Sequence, residues 1–190
     1  MKRMIFAFSI IFTPFLSFTA SGAEVREIPK NAYAFSFESI DGKPLPLSKY
    51  RGKTIMIVNT ASRCGFTKQY SALQVVWQRY KERGFVLLGV PSGDFGNQEF
   101  ATEKKIKTFC EVNFNIDFPM TQKTSVTGKK AHEFYKWART SLGNLAKPRW
   151  NFHKYLVDQN GELVDWFSSP TSPTSNKVIR AIEKHLPPAS

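Results

Sequence analysis

Two cysteines and one Trp-Asn pair are the side chains of this 190-residue chain whose types and settings suggest chemistry. Cys64 sits in Asn59-Thr60-Ala61-Ser62-Arg63-Cys64-Gly65-Phe66-Thr67, between an apolar run and an amphipathic one. Ligands gather at the carboxyl ends of strands in α/β proteins, and the N–H groups and dipole opening the next helix favour a thiolate. Gly65 lets a small molecule approach closely, and Arg63 adds positive charge. A buried thiol that only fills space is the competing reading of the same position. Cys110 follows 46 positions later. A structural disulfide, two unrelated thiols, and a pair in which one cysteine resolves the oxidised form of the other are all open. A permanent disulfide would consume the best activated thiol of the chain, which argues against a purely structural bridge. Further on stands Trp150-Asn151-Phe152-His153. An indole N–H and a carboxamide can both donate hydrogen bonds to a thiolate or a sulfenate oxygen. On residue types alone a Trp at a core edge and an Asn turn is the simpler account, and His153 reads as structural or exposed.

The elements that must position these groups are legible in the apolar spacing. Phe35-Ser36-Phe37 and the stretch 40–45, with Asp41-Gly42 at its turn, predict an N-terminal hairpin. Residues 54–60 form a β-branched run suited to a doubly covered central strand. Residues 70–83 carry Leu73, Val76, Trp77 and Tyr80 at spacings of three and four, predicting a helix that Gly84 ends. Residues 85–90 are a second buried strand, so strand, helix and strand give a parallel pair. Thr102 caps a helix with Ile106, Phe109 and Cys110 on its apolar side, and residues 131–142 form another, carrying Phe134 and Trp137. Tyr155-Leu156-Val157 and residues 163–167, joined by Asp158-Gln159-Asn160-Gly161, predict an antiparallel hairpin, and residues 176–186 a last helix. The sum is an α/β fold with a mixed sheet flanked by helices, without repeat, linker or second domain.

Composition narrows the function classes. With 42% hydrophobic residues and 17 Phe the chain can build a core, which excludes disorder, and two cysteines cannot staple a mini-protein. Residues 1–23 read as a signal peptide: Lys2 and Arg3 precede an uncharged stretch that ends in Ala20-Ser21-Gly22-Ala23. Cleavage near Ala23 predicts a mature domain of residues 24–190, exported to the periplasm or secreted, with no stable membrane insertion; an uncleaved anchor is the alternative. The formal charge of +12 comes from scattered residues, which suits solvated helix faces or attraction of an anionic thiol or acidic donor, and nucleic acid ranks last.

Several motifs in order give the chain a family resemblance. Asn59-x-Ala61-Ser62-x-Cys64-Gly65-x-Thr67, Pro91-Ser92-Gly93-Asp94-Phe95-Gly96-Asn97-Gln98-Glu99, Phe109-Cys110 to Phe118-Pro119, and Trp150-Asn151-Phe152 resemble the glutathione peroxidase family. The resemblance runs from about Ala34 to the C-terminal helix. It implies a thioredoxin-like fold and reduction of hydrogen peroxide or organic hydroperoxides, in antioxidant defence, without metal or bound organic cofactor. By position Cys64 resembles the peroxidatic residue, and Trp150 and Asn151 match two of its catalytic partners. The family usually reads Pro-Cys-Asn-Gln-Phe-Gly where this chain has Pro91-Ser92-Gly93-Asp94-Phe95-Gly96, so Asp94 occupies the place of the third partner, a Gln. A carboxylate there would repel a thiolate unless it is turned away, protonated, or accepting the thiol's proton. Gln98 belongs to the later Gln-Glu pair of the motif. Cys110 aligns with the resolving cysteine of the two-cysteine branch, which implies recycling by a thioredoxin-like protein, with glutathione as the other donor. Residues 141–149 are short where tetrameric members carry an insertion, implying a monomer. Two competing functions remain. A thiol-disulfide oxidoreductase is weakened by the absence of Cys-x-x-Cys, and a metal-binding protein using Cys64, Cys110 and His132 or His153 lacks metal-site spacing.

Overall fold

The computed structural model describes residues 29–188. The segment expected to be a signal peptide therefore lies outside the described residues. Strand β3 (Thr54–Thr60) is buried along its whole length, as its unbroken β-branched run requires. It pairs in parallel with β4 (Phe85–Pro91), from Thr54 opposite Phe85 to Thr60 opposite Pro91. On its other edge it pairs antiparallel with β5 (Lys154–Val157), which carries β6 (Leu163–Phe167) antiparallel outside it. The sheet order β4-β3-β5-β6 is the expected mixed sheet. A separate two-stranded hairpin, β1 (Ser36–Glu38) with β2 (Pro44–Pro46), precedes it.

The alternation of β3 divides the core. Ile55 and Ile57 face one layer with Phe35, Phe37, Phe134 and Tyr155; Met56 and Val58 face the other with Leu73, Val76, Ile106 and Phe152. The first layer is closed by the hairpin and α3 (Glu133–Leu142). The second is closed by α1 (Gln69–Tyr80), α2 (Glu103–Phe114) and α4 (Asn176–His185). Each large side chain fully buried there contributes about 1.5–3 kcal/mol.

A few boundaries differ from the sequence expectation. The helix expected over 70–83 is α-helical only to Tyr80, and Lys81–Arg83 tighten into a 3₁₀ turn before Gly84. Gly84 has φ +77°, and a Cβ there would lie 2.4 Å from Pro187, so only glycine fits. Thr102 caps α2 by accepting from Lys105 N–H, as expected. Helix α3 begins at Glu133 because His132 Nδ1 accepts from Phe134 N–H. Strand β5 starts one residue earlier than expected, at Lys154, which is fully buried.

Candidate active site

Cys64 lies in the turns between β3 and α1, and Thr67 shapes them. The Thr67 hydroxyl accepts from Cys64 N–H at 2.9 Å and reaches the carbonyls of Ala61 (2.9 Å) and Cys64 (2.7 Å). The chain then turns back so that Phe66 N–H donates to Cys64 Sγ at 3.4 Å. Cys64 as a residue is 7% exposed. Helix α1 opens only at Gln69, so a backbone N–H of the preceding turn, rather than the helix terminus itself, is what faces the sulfur. Arg63 stacks its guanidinium over the Phe100 ring at 4.3 Å.

Two more segments meet this turn. Asn59, near the end of β3, grips the second: its Nδ2 donates to Trp150 carbonyl (3.1 Å), its carbonyl accepts from Phe152 N–H (2.6 Å), and its N–H donates to His153 carbonyl (3.2 Å). Phe152 is held at φ +63°, a left-handed conformation costly for an aromatic residue, with its buried ring edge-on to Tyr70. The third segment is stitched on by Arg63 N–H to Gln98 carbonyl (2.9 Å) and Ser62 N–H to the buried Glu99 carboxylate (3.3 Å). Burial pushes the Glu99 carboxyl above its usual range, and hydrogen bonds from Ser62 and Phe100 oppose that shift.

Asn151 is fully buried and its Nδ2 donates to Gln98 Oε1 at 3.0 Å, while its Oδ1 has no partner. Trp150 is 39% exposed, with its ring 5.9 Å from Phe95. Trp150 and Asn151 thus join the Cys64 turn through Asn59 and Gln98, and among the described residues the hydrogen bond that Sγ itself forms is the one from Phe66. Asp94 points elsewhere. Its exposed carboxylate accepts from Val126 N–H (2.6 Å), Thr127 N–H (2.9 Å) and Ser125 Oγ (3.0 Å), so of the three possibilities the turned-away carboxylate is the one the geometry adopts. Beside Trp150 opens a groove of about 480 Å³, lined by Phe66, Trp166, Leu145 and Pro170 together with Lys147 and Arg149.

Cys110 is a free thiol in the same core layer as Cys64, fully buried on α2. Burial pushes its thiol up to about 12; the Tyr70 hydroxyl counters this in part, and Glu99 and Glu111 add to it. His153 is structural: it is buried, stacks on Trp166, and is held down to about 3 by desolvation and by the charge of Lys154. His132 caps α3 and stacks on Phe37, and among the described residues no group of three His, Cys, Asp or Glu could hold a metal ion. Sequence reasoning missed the clamp at Asn59, the buried Glu99 and, above all, Lys154. A lysine inside an apolar strand was the one local signal for the last of these.

Residues 32–139 match the family model for glutathione peroxidase. The chain belongs to the glutathione peroxidase family. It is 40% identical over 162 residues to the hydroperoxy fatty acid reductase of Synechocystis sp., covering 81% of this chain and 95% of that protein. It is 42% identical over 136 residues to a glutathione peroxidase-like peroxiredoxin of Schizosaccharomyces pombe, covering 70% and 85%. A thioredoxin-family thiol:disulfide interchange protein of Chlorobium tepidum superimposes with a TM-score of 0.62 at 16% identity, over 83% of this chain and 96% of that one, which establishes the thioredoxin-like fold. Gln98, of the Gln-Glu pair that follows Asp94, sets its side-chain amide against Asn151.

Proposed function

We propose that this enzyme, a thiol-dependent peroxidase, reduces hydrogen peroxide and organic or lipid hydroperoxides at Cys64. The observation that carries the reading is the Cys64 turn, which aims the Phe66 N–H at Sγ and contributes the Phe66 side to the Trp150 groove. The thiolate sulfur attacks the terminal oxygen of the peroxide, the O–O bond breaks, and the departing alkoxide takes a proton to leave as alcohol or water. Cys64 becomes a sulfenic acid. The Cys110 sulfur then attacks that sulfur, water leaves, and a disulfide forms. A thioredoxin-like dithiol or glutathione returns both thiols, so the electrons come from a co-substrate and the cycle needs no bound cofactor. Trp150 and Asn151 are read as the polar groups that hold the anionic sulfur and its oxygen, and Asp94 as the tie of the 125–127 loop. For the sulfurs to meet, Cys110 must leave its buried site, which calls for loosening of α2.

The same reading places the protein outside the cytoplasm as a monomer, supported by the basic-then-apolar residues 1–23 and the short 141–149 segment. N-terminal mass determination on exported protein and sedimentation test these two points. The activity is tested by hydroperoxide consumption with thioredoxin plus its reductase, or with glutathione, for wild type, Cys64→Ser and Cys110→Ser. Thioredoxin-driven turnover lost in both variants supports the two-cysteine cycle. Glutathione-driven turnover that survives Cys110→Ser assigns Cys110 a structural role.

A further inference from the structure

Lys154 opens β5 with its side chain fully buried, two residues after Phe152. Three oxygens lie 2.7 Å from its Nζ: Gln69 Oε1 at the first residue of α1, the Phe152 carbonyl and the Thr171 carbonyl. The Ser169 carbonyl stands at 3.5 Å. An ammonium has three N–H donors and no lone pair, so it matches three short acceptors one for one, whereas a neutral amine would turn a lone pair on one of them. All four acceptors are neutral. Burying an ion without a counter-ion is expensive, so its place here has a reason beyond filling space.

The reason is visible in what the nitrogen joins. Gln69 begins the helix that the Cys64 turn leads into, and its Nε2 also donates to Ser169 carbonyl at 2.7 Å. Phe152 is the left-handed residue that follows Trp150 and Asn151, gripped from its other side by Asn59. Ser169 lines the groove beside Trp150. We propose that Lys154 is a positioning residue of the peroxide site, its ammonium locking the turn that carries Trp150 and Asn151 against the helix that follows Cys64. This rests on the reading of Cys64, Trp150 and Asn151 given above.

Burial pulls the Lys154 ammonium down to about 7. The groups around it are Gln69 on α1, the Ser169 and Thr171 carbonyls, and its strand partners Val58 and Phe167, all uncharged. Lys177 on α4 stands over the Phe167 ring, 5.5 Å from its centroid, and His153, held down to about 3, is neutral at physiological pH. The lock therefore weakens as pH rises through neutrality.

Two variants test it. Lys154→Met keeps an unbranched apolar stem, one atom shorter, and removes the charge; Gln69→Leu keeps the ammonium and removes its acceptor on α1. Stopped-flow oxidation of Cys64 by hydrogen peroxide is measured on folded protein below pH 7, together with the indole N–H resonance of Trp150, assigned with Trp150→Phe. Lys154→Met is expected to react at least about tenfold more slowly and to shift the resonance. In a Cys64→Ser background the resonance is expected to titrate near pH 7 and to stop titrating once Lys154→Met is added. A folded Lys154→Met that oxidises at the wild-type rate overturns the proposal. If Lys154→Met does not fold, Gln69→Leu decides on the same two readings: a slower rate with a shifted resonance supports the lock, and unchanged values refute it. If wild-type Cys64 does not react with peroxide at all, the peroxidase reading fails, and the resonance alone then decides the lock.

Discussion

Alkylation of Cys110 exposes the reasoning behind the two-cysteine cycle most directly. The buried thiol ionises at about 12 instead of an ordinary 9.0, so at pH 8 its thiolate fraction is about a thousandfold smaller than in the unfolded chain. Full burial withholds it from the reagent as well. In folded, reduced protein iodoacetamide should therefore label Cys110 at least about a thousandfold more slowly than in urea. The assay is timed quenching at pH 8 followed by peptide mass spectrometry, alongside backbone hydrogen exchange across α2 (Glu103–Phe114). After stoichiometric peroxide, exchange across α2 should rise as the disulfide forms, because Cys110 is fully buried on that helix and its side chain has to leave its packing to bond Cys64. The reasoning is refuted if native Cys110 labels within about tenfold of its unfolded rate, or if the disulfide forms with no change in α2 exchange. The raised thiol also has a stability consequence. The unfolded thiol ionises first, so the fold should lose stability as pH climbs from 9 towards about 12.

Three further outcomes follow from the geometry. Asp94→Ala removes an exposed acceptor of three hydrogen bonds; it should cost about 1–2 kcal/mol in urea unfolding and leave the rate of Cys64 oxidation unchanged in stopped flow. A large rate change with no loss of stability would place the carboxylate at the sulfur instead. Thr67→Val removes the hydroxyl that shapes the Cys64 turn, with an expected loss of about 1–2 kcal/mol in Tm-derived stability and a severalfold slower peroxide reaction. His153 is held neutral by burial, down to about 3 from 6.5, so the unfolded chain takes up its proton first; stability should fall by about 1.4 kcal/mol per pH unit between those values. Acid titration followed by circular dichroism should show this limb flattened in His153→Phe.

Much of this protein is determined by the sequence alone. The unbroken run of β3, the three-and-four spacing of Leu73, Val76 and Tyr80, and the Asn160-Gly161 turn specify burial and chain direction locally, so the mixed sheet and its flanking helices can be derived from them. The place of Cys64 at a strand end follows from the same pattern. What only the tertiary structure decides is which partner each polar side chain takes across large distances in sequence. Asp94 had equal local claim to the sulfur and to any nearby N–H; the 125–127 loop, about thirty residues on, supplies N–H groups and takes it. Gln98 meets Asn151 across 53 residues, and Lys154 gathers oxygens from Gln69, Phe152 and Thr171, where apolar periodicity marks only a lysine out of place. Periodicity encodes burial because each residue meets the same solvent boundary as its neighbours on that face. Hydrogen-bond pairing between distant segments depends on how the packed elements bring their ends together, and that exists only once the core has formed.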